Sequence, residues 1–391
     1  MNIAFLLLTL NRGGVENLTC FLANELQKKG HHIAIIAIKP EQDSDLLMTL
    51  DSSIRVLFLN GFSVCKENVR KVRDLFLQHQ TQIVINQFGL PYIPCLIVKR
   101  AGRGLGIKLI SAYHSDPIAN GRVLAVDQQL RNNKSSVKRF FLRIKRRVYY
   151  GITRTSMCYV YRQSDAYILL SPCFRTHFIS YTKIKRPNKL FFIANPVTID
   201  SSGFEYVQEE KKKQLLFVGR IDNPVKRIDR VIDIWAQLET NYPDWELLVL
   251  GDGPDLPFLK HYAKEKDIRR ISFWGNQFPA PFYKEASIIL LTSEFEGFGL
   301  VLVEGMTFGV VPVVYGSYDS IYDIIEDGVN GYIVKPQNGT FPYAQMSESV
   351  KAIIDDRERR ESMALKSMQI GDKFKKDVII EQWETLFSRL F

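Results

Sequence analysis

Short apolar runs alternate with stretches of helical periodicity along this chain, and the alternation halts once and starts again. Runs at Ile3–Leu8, Ile33–Ile38, Ile54–Leu59, Ile83–Asn86, Lys108–Ala112, Ala166–Leu170 and Lys189–Ile193 read as buried strands. Helical spacing fills Gly14–Lys29, Glu67–Gln78, Pro91–Arg100 and much of Val123–Arg162. Strands that alternate with helices predict a parallel sheet covered on both faces. A charged, poorly patterned stretch, Ser201–Lys213, reads as an exposed connector. After it the pattern resumes, with strands at Gln214–Val218, Glu246–Leu250, Arg270–Trp274, Ser287–Leu291, Val311–Val314 and Tyr332–Val334. Helices are predicted between them at Val225–Glu239, Leu256–Lys266, Leu300–Thr307 and Ser320–Glu326. An amphipathic helix, Phe374–Phe391, ends the chain with no strand after it. With 391 residues, two domains fit the usual domain size. The expectation is two Rossmann-like, doubly wound domains, 1–195 and 196–373, with helix 374–391 packing back on the first. Ligands of such sheets bind beyond the carboxyl ends of the strands, so the chemistry is expected in loops facing a cleft.

Charge is divided unevenly. Residues 1–195 hold 29 Lys and Arg against 11 Asp and Glu, a balance of +18; the rest hold 23 against 31, a balance of −8. No acid occurs between Gln128 and Ser164, where basic residues run from Arg131 to Arg162 with Phe140, Phe141, Ile144 and Val148 among them. A polyanionic partner is expected for the first half only. The apolar–basic mixture favours an anionic membrane surface over nucleic acid, for which no binding module is present. The apolar N-terminal run is too short to span a membrane and has no basic residue before it. The expected location is the cytoplasm, with peripheral attachment at the inner face of the plasma membrane.

Metal and redox chemistry find little support. The five cysteines are scattered, with no C-x-x-C pair or ligand spacing. Asp43-Ser-Asp45 has the form of a D-x-D motif but lies in a polar loop with no strand leading into it. Asn11-Arg-Gly-Gly-Val-Glu16 makes an amide-rich turn into a helix and lacks the G-x-G-x-x-G of dinucleotide binding.

The strongest chemical signal is Ser293-Glu-Phe-Glu-Gly-Phe-Gly-Leu-Val-Leu-Val-Glu304. A strand leads into a turn with Gly297 and Gly299, and a helix opens at once. Backbone amides there can meet an anion. Glu296 and Glu304 can accept hydrogen bonds from sugar hydroxyls; alone, the segment is also a plain turn with a solvated acid. In Phe217-Val-Gly-Arg-Ile-Asp-Asn-Pro-Val-Lys-Arg-Ile-Asp229, Arg220 stands at a strand tip and Lys226 near the next helix. Two such cations suit a diphosphate, or else pair with Asp222 and Asp229. Leu250-Gly-Asp-Gly-Pro254 repeats the strand–turn–helix form. His114 ends a strand in Tyr-His-Ser-Asp, a position that favours a cleft.

In order and spacing, these segments resemble the retaining GT-B glycosyltransferases of family GT4. Glu296 and Glu304 match its E-x7-E signature. Gly13-Gly14-x-Glu16, Asn195-Pro196, Val-Gly-Arg220 with Lys226, Gly251-Asp-Gly-Pro254 and Phe273-Trp-Gly275 match in turn. The likeness runs nearly end to end. It implies a nucleotide diphosphate sugar, a UDP-sugar favoured over a GDP-sugar, held mainly by the C-terminal domain without metal or other cofactor. Arg220 and Lys226 would neutralise the diphosphate, helped by amides of Phe298, Gly299 and Leu300. Glu304 would hold the ribose and Glu296 the transferred sugar. Gly219, Gly251 and Gly297 would line the donor loops, Gly14 would face the diphosphate from the other domain, and His114 would lie beside the reacting carbon. Departures are Glu294 ahead of Glu296 and Asn223-Pro224 where Pro-Glu is common. The implied reaction moves a hexose or N-acetylhexosamine to a saccharide or lipid-linked acceptor in envelope polysaccharide or glycolipid synthesis. A nucleotide-sugar 2-epimerase and a catalytically silent partner subunit stay open as alternatives on the same fold.

Overall fold

The computed structural model describes residues 1–11, 13–39, 45–337 and 340–391, without the side chains of Arg131 and Asn132. Asp43, Ser44 and Arg12, named above, lie outside the described residues. The chain divides into two compact units, Met1–Asn195 with Asp377–Phe391, and Pro196–Lys376.

In the first unit the strands are β1 (Asn2–Leu7), β2 (His32–Ala37), β3 (Arg55–Phe58), β4 (Ile83–Asn86), β5 (Lys108–Tyr113), β6 (Ala166–Leu169) and β7 (Leu190–Phe192). All pair in parallel, in the order β3-β2-β1-β4-β5-β6-β7. Parallel strands need crossovers, and helices α1 (Gly14–Lys28), α2 (Lys66–Gln78), α3 (Tyr92–Ala101), α4 (Gly121–Asn132), α5 (Ser136–Gln163) and α6 (Phe174–Thr182) supply them. Strand order reverses between β1 and β4, the place where open sheets leave a crevice.

The second unit repeats the plan with β8 (Lys212–Val218), β9 (Glu246–Leu250), β10 (Ile271–Gly275), β11 (Ala286–Leu291), β12 (Val311–Tyr315) and β13 (Tyr332–Val334). Their order is β10-β9-β8-β11-β12-β13, again parallel, with the reversal between β8 and β11. The helices are α7 (Asn223–Lys226), α8 (Ile228–Leu238), α9 (Leu256–Glu265), α10 (Ala280–Glu285), α11 (Leu300–Thr307), α12 (Tyr343–Asp355) and α13 (Arg357–Asp372). The last helix, α14 (Lys376–Leu390), buries Ile379, Ile380, Trp383, Leu386 and Phe387 in the core formed by β1, β2, β4 and β5.

Several elements differ from the sequence reading. The stretch Val123–Arg162 is two helices. Asn133 is extended and Ser135 caps α5, while Asn120 caps α4 by accepting from the Val123 amide at 3.1 Å. Val225–Glu239 is broken at Arg227, whose φ of 51° is left-handed. Ser320–Glu326 is a short 3-10 turn over Asp319–Asp323. The predicted connector is not exposed throughout. Lys211 is largely buried and donates to the carbonyls of Tyr283, Ala286 and Phe308 at 2.9, 3.1 and 2.6 Å. Burial pulls its ammonium down to about 7. It thereby ties off the C-terminal ends of α10 and α11.

Helices α6, α10, α12 and α13 were not anticipated. For α13 the reason is visible. Its buried face reads Arg360, Met363, Ala364, Ser367 and Gly371, helical in spacing but with Met363 its one large apolar side chain. A carbon added at Gly371 would lie 2.7 Å from the Thr307 hydroxyl, so small residues let α13 approach α11. Apolar periodicity cannot register such a face.

Candidate functional site

In the second unit, the loops after β8 and β11 meet at the point of strand-order reversal. Arg220 follows β8. It is exposed, and its side chain has no hydrogen bond or ion pair among the described residues. Gly251, after β9, lies beneath this loop: a carbon added there would sit 1.8 Å from the Gly219 carbonyl oxygen. Close packing is enough to require glycine at 251, at a φ of 140°.

Lys226 closes the single turn of α7. Its ammonium donates to Glu296 Oε1 at 2.5 Å, and Ser293 Oγ donates to the same oxygen at 2.7 Å. The local acids Asp222 and Asp229 are therefore not its partners; Asp229 is held by Arg227 at 2.7 Å. Arg227 also reaches Glu294 at 3.2 Å, and Arg230 pairs with the same carboxylate. Arg230 is buried, donates to the Thr292 carbonyl at 3.2 Å, and has its guanidinium 4.3 Å from the Phe341 ring centre. The Glu294 amide donates to Val225 O at 2.8 Å, and Thr292 Oγ1 to Arg227 O at 2.8 Å. Glu294, which looked like an extra carboxylate, is a fastener: it fixes the turn bearing Glu296 to the junction bearing Lys226.

Beyond half-buried Gly297 and buried Phe298, Gly299 caps α11 with a φ of 87°. Only a glycine takes that conformation without strain, and it offers no side chain to cap the helix. The Leu300 and Val301 amides lead α11 at its positive dipole end, while the next, Leu302, donates to the Gly299 carbonyl at 2.9 Å. Glu304 sits just past the first turn, buried. Tyr283 Oη donates to Glu304 Oε2 at 3.3 Å and Thr198 Oγ1 to Oε1 at 3.5 Å. Burial pushes its carboxyl up to about 7, against the pull of those hydroxyls. One edge of this sheet thus combines an unpaired guanidinium, an ammonium–carboxylate pair, the two leading amides of a helix and a buried carboxyl. Such a set can hold a ligand with an anionic part and a hydroxylated part.

In the first unit, the loops after β1, β4 and β5 occupy the corresponding edge. Gly14 opens α1 after its N-cap, Gly13; a carbon added at Gly14 would meet nothing within 4 Å. The fold itself does not require glycine there. His114 follows β5 and its Nε2 lies 2.6 Å from Gln87 Oε1, just beyond β4. Burial lowers its imidazole to about 4, so it is neutral near pH 7. As Nε2–H donates to Gln87, Nδ1 is left an acceptor. Both His114 Nδ1 and Gln87 Nε2 are buried without partners. Gln87 escaped the sequence reading, although its place directly after a strand end was a usable signal. Tyr318, three residues past β12, escaped in the same way.

Among the described residues no group of three or more His, Cys, Asp or Glu side chains is placed to hold a metal ion. None of the helices described is long and apolar enough to cross a membrane.

Comparison with known proteins agrees with this layout. Residues 12–201 match glycosyltransferase family 4, and residues 199–368 match glycosyl transferases group 1. The chain is 25 % identical to an uncharacterized glycosyltransferase of Haemophilus influenzae over 98 % of both chains. It is 24 % identical to the Campylobacter jejuni GalNAc-alpha-(1->4)-GalNAc-alpha-(1->3)-diNAcBac-PP-undecaprenol alpha-1,4-N-acetyl-D-galactosaminyltransferase, over 100 % of this chain and 99 % of that one. The crystal structure of Anabaena HepE in complex with UDP shares its fold, with a TM-score of 0.74 and 18 % identity over the whole of both chains.

Proposed function

Because this chain belongs to the family 4, group 1 glycosyltransferases and has their GT-B fold, we propose that it transfers a hexose or N-acetylhexosamine, with retention, from a nucleotide diphosphate sugar. The observation that carries this reading is the Lys226–Glu296 pair beside the uncapped amides of α11. Within the chain the cation and carboxylate neutralise each other. A bound diphosphate offers Lys226 a new partner, and Glu296 is freed for sugar hydroxyls. Arg220, already unpaired, adds a second cation. Glu304 accepts from the ribose diol.

In the reaction the C1–O bond to the diphosphate breaks and a bond from C1 to the acceptor oxygen forms on the same face. The acceptor proton passes to a diphosphate oxygen. Negative charge grows on the leaving group, where Arg220, Lys226 and the α11 amides stabilise it; fixed donors of this kind are worth roughly 3–4 kcal/mol each. These groups do the work a divalent ion does elsewhere, and activity without added metal is expected. His114, neutral and with a free acceptor nitrogen, is suited to a sugar hydroxyl. The reading is tested by melting the protein with UDP-, GDP- and ADP-sugars in EDTA, since a ligand that binds the native state raises the melting temperature. The best donor is then incubated with candidate acceptors and the product's anomeric configuration read by NMR. No stabilisation by any of the three classes, or stabilisation only with magnesium, overturns the proposal. Conversion of the donor without an acceptor marks a 2-epimerase instead.

The acceptor is proposed to be a lipid-linked saccharide of envelope polysaccharide synthesis, met at an anionic cytoplasmic leaflet. On α5, Val137, Phe140, Phe141, Ile144, Val148 and Ile152 are all exposed. Their spacing sets them in one stripe along four turns. Arg146, on the opposite side, is paired with Asp127 of α4 at 2.5 Å, so the stripe faces away from that packing. Lys138, Arg143, Lys145 and Arg147 flank it, each worth about 1 kcal/mol at an anionic surface. Flotation with phosphatidylglycerol vesicles should recover the protein at low salt, and Phe140→Ser with Phe141→Ser should abolish recovery. Equal recovery with neutral phosphatidylcholine vesicles would remove this surface.

A further inference from the structure

Tyr318 is the least explained polar side chain of the second unit. It is 4 % exposed, yet its hydroxyl has no hydrogen-bond partner. Buried hydroxyls are nearly always paired, so an orphan calls for a reason. The fold holds this one in place. Its neighbour Ser317 donates to the Ser293 carbonyl at 2.5 Å, tying the segment after β12 to the turn after β11. The Tyr318 oxygen reaches Gly299, the cap of α11: a carbon added at Gly299 would lie 2.8 Å from it. A side chain at 299 would therefore fill the space the hydroxyl faces. Burial, with the Glu296 carboxylate adding to it, holds the phenol well above its usual pKa. The group is an O–H donor at any working pH.

Three features then coincide at one point. Gly299 leaves the α11 amides uncapped, those amides are donors, and the hydroxyl beside them is a donor without an acceptor. The nearby Glu296 carboxylate is engaged by Lys226 and Ser293, and an anionic oxygen is the acceptor that satisfies helix-end amides best. We infer that the Tyr318 hydroxyl completes an anion cradle with the leading amides of α11, donating to a phosphate oxygen of the bound nucleoside diphosphate. This rests on the nucleotide-binding reading above and adds to it a ligand contact from the loop after β12.

Tyr318→Phe removes one oxygen and keeps the ring. Titration calorimetry on wild type and variant would use UDP, GDP or ADP, whichever binds the wild type, and the matching nucleoside. The diphosphate should bind the variant about tenfold more weakly or worse, as for loss of a hydrogen bond to a charged group. The nucleoside should bind both proteins alike. The ligand-free variant should melt no lower than wild type, because the lost hydroxyl leaves no partner behind. Unchanged diphosphate affinity overturns the inference, and so does equal loss of nucleoside binding. A ligand-free variant that melts several degrees lower overturns it too, since that marks a packing role. If none of the three diphosphates binds wild type, the nucleotide-binding reading falls and takes this contact with it.

Discussion

Lys226→Ala is expected to lower kcat/KM about a thousandfold while the chain stays folded. The ammonium is the partly buried half of a pair with Glu296, at 2.5 Å. In the proposed reaction it must leave that carboxylate for the departing diphosphate, so its charge counts most when leaving-group charge is greatest. A fixed donor at such a point carries roughly 3–4 kcal/mol of transition-state stabilisation. Stability should respond differently. Lys226→Ala leaves the Glu296 carboxylate with Ser293 as its remaining side-chain donor. That costs of order 1–3 kcal/mol. Glu296→Ala leaves Lys226 uncompensated in turn, and its activity should fall comparably. Removing both at once discards the pair, so the double variant should be more stable than the sum of single losses predicts. Steady-state kinetics and thermal melts on the three proteins decide the matter. A rate within about tenfold of wild type for either single variant contradicts the assigned roles.

What the sequence made legible was the part governed by period and spacing. Buried parallel strands leave continuous apolar runs, and both sheets stand out for that reason. The order of glycines and acids between Val218 and Glu304 likewise placed Arg220, Lys226, Glu296 and Glu304 on neighbouring loops. Pairing was another matter. Nothing in the order of residues says that Lys226 chooses Glu296 over Asp222 or Asp229, because that choice depends on Arg227 turning left-handed and taking Asp229 for itself. The role of Glu294 was hidden for the same reason: Arg230, which holds it, lies in what reads as an ordinary amphipathic helix. Orphaned atoms such as Tyr318 Oη and His114 Nδ1 have no sequence signature, since they are defined by what fails to surround them.

Acidification should weaken donor binding through Glu304, by about tenfold for each pH unit below about 7. Its carboxyl is raised to about 7 because burial penalises the charged form. Only the carboxylate accepts from both hydroxyls of a ribose diol, so protonation removes the binding form. The stability of the ligand-free protein must run the other way. Between the ordinary value of 4.5 and about 7, the folded chain keeps a proton that the unfolded chain has given up. Stability on this account falls as pH rises through that window. The same residue therefore opposes the fold where it serves the ligand, as expected of a site that stores strain for binding. Glu304→Gln separates the two effects. The amide cannot ionise, so the variant should melt no lower than wild type near pH 8. It should bind the donor about a hundredfold more weakly there, since hydrogen bonds to a charged acceptor are worth roughly 1.5–3 kcal/mol. Its affinity should no longer vary with pH. Donor titrations from about pH 8 to about pH 5.5 on both proteins provide the measurement. A flat wild-type profile, or a slope that survives in the variant, would assign the pH dependence to another group.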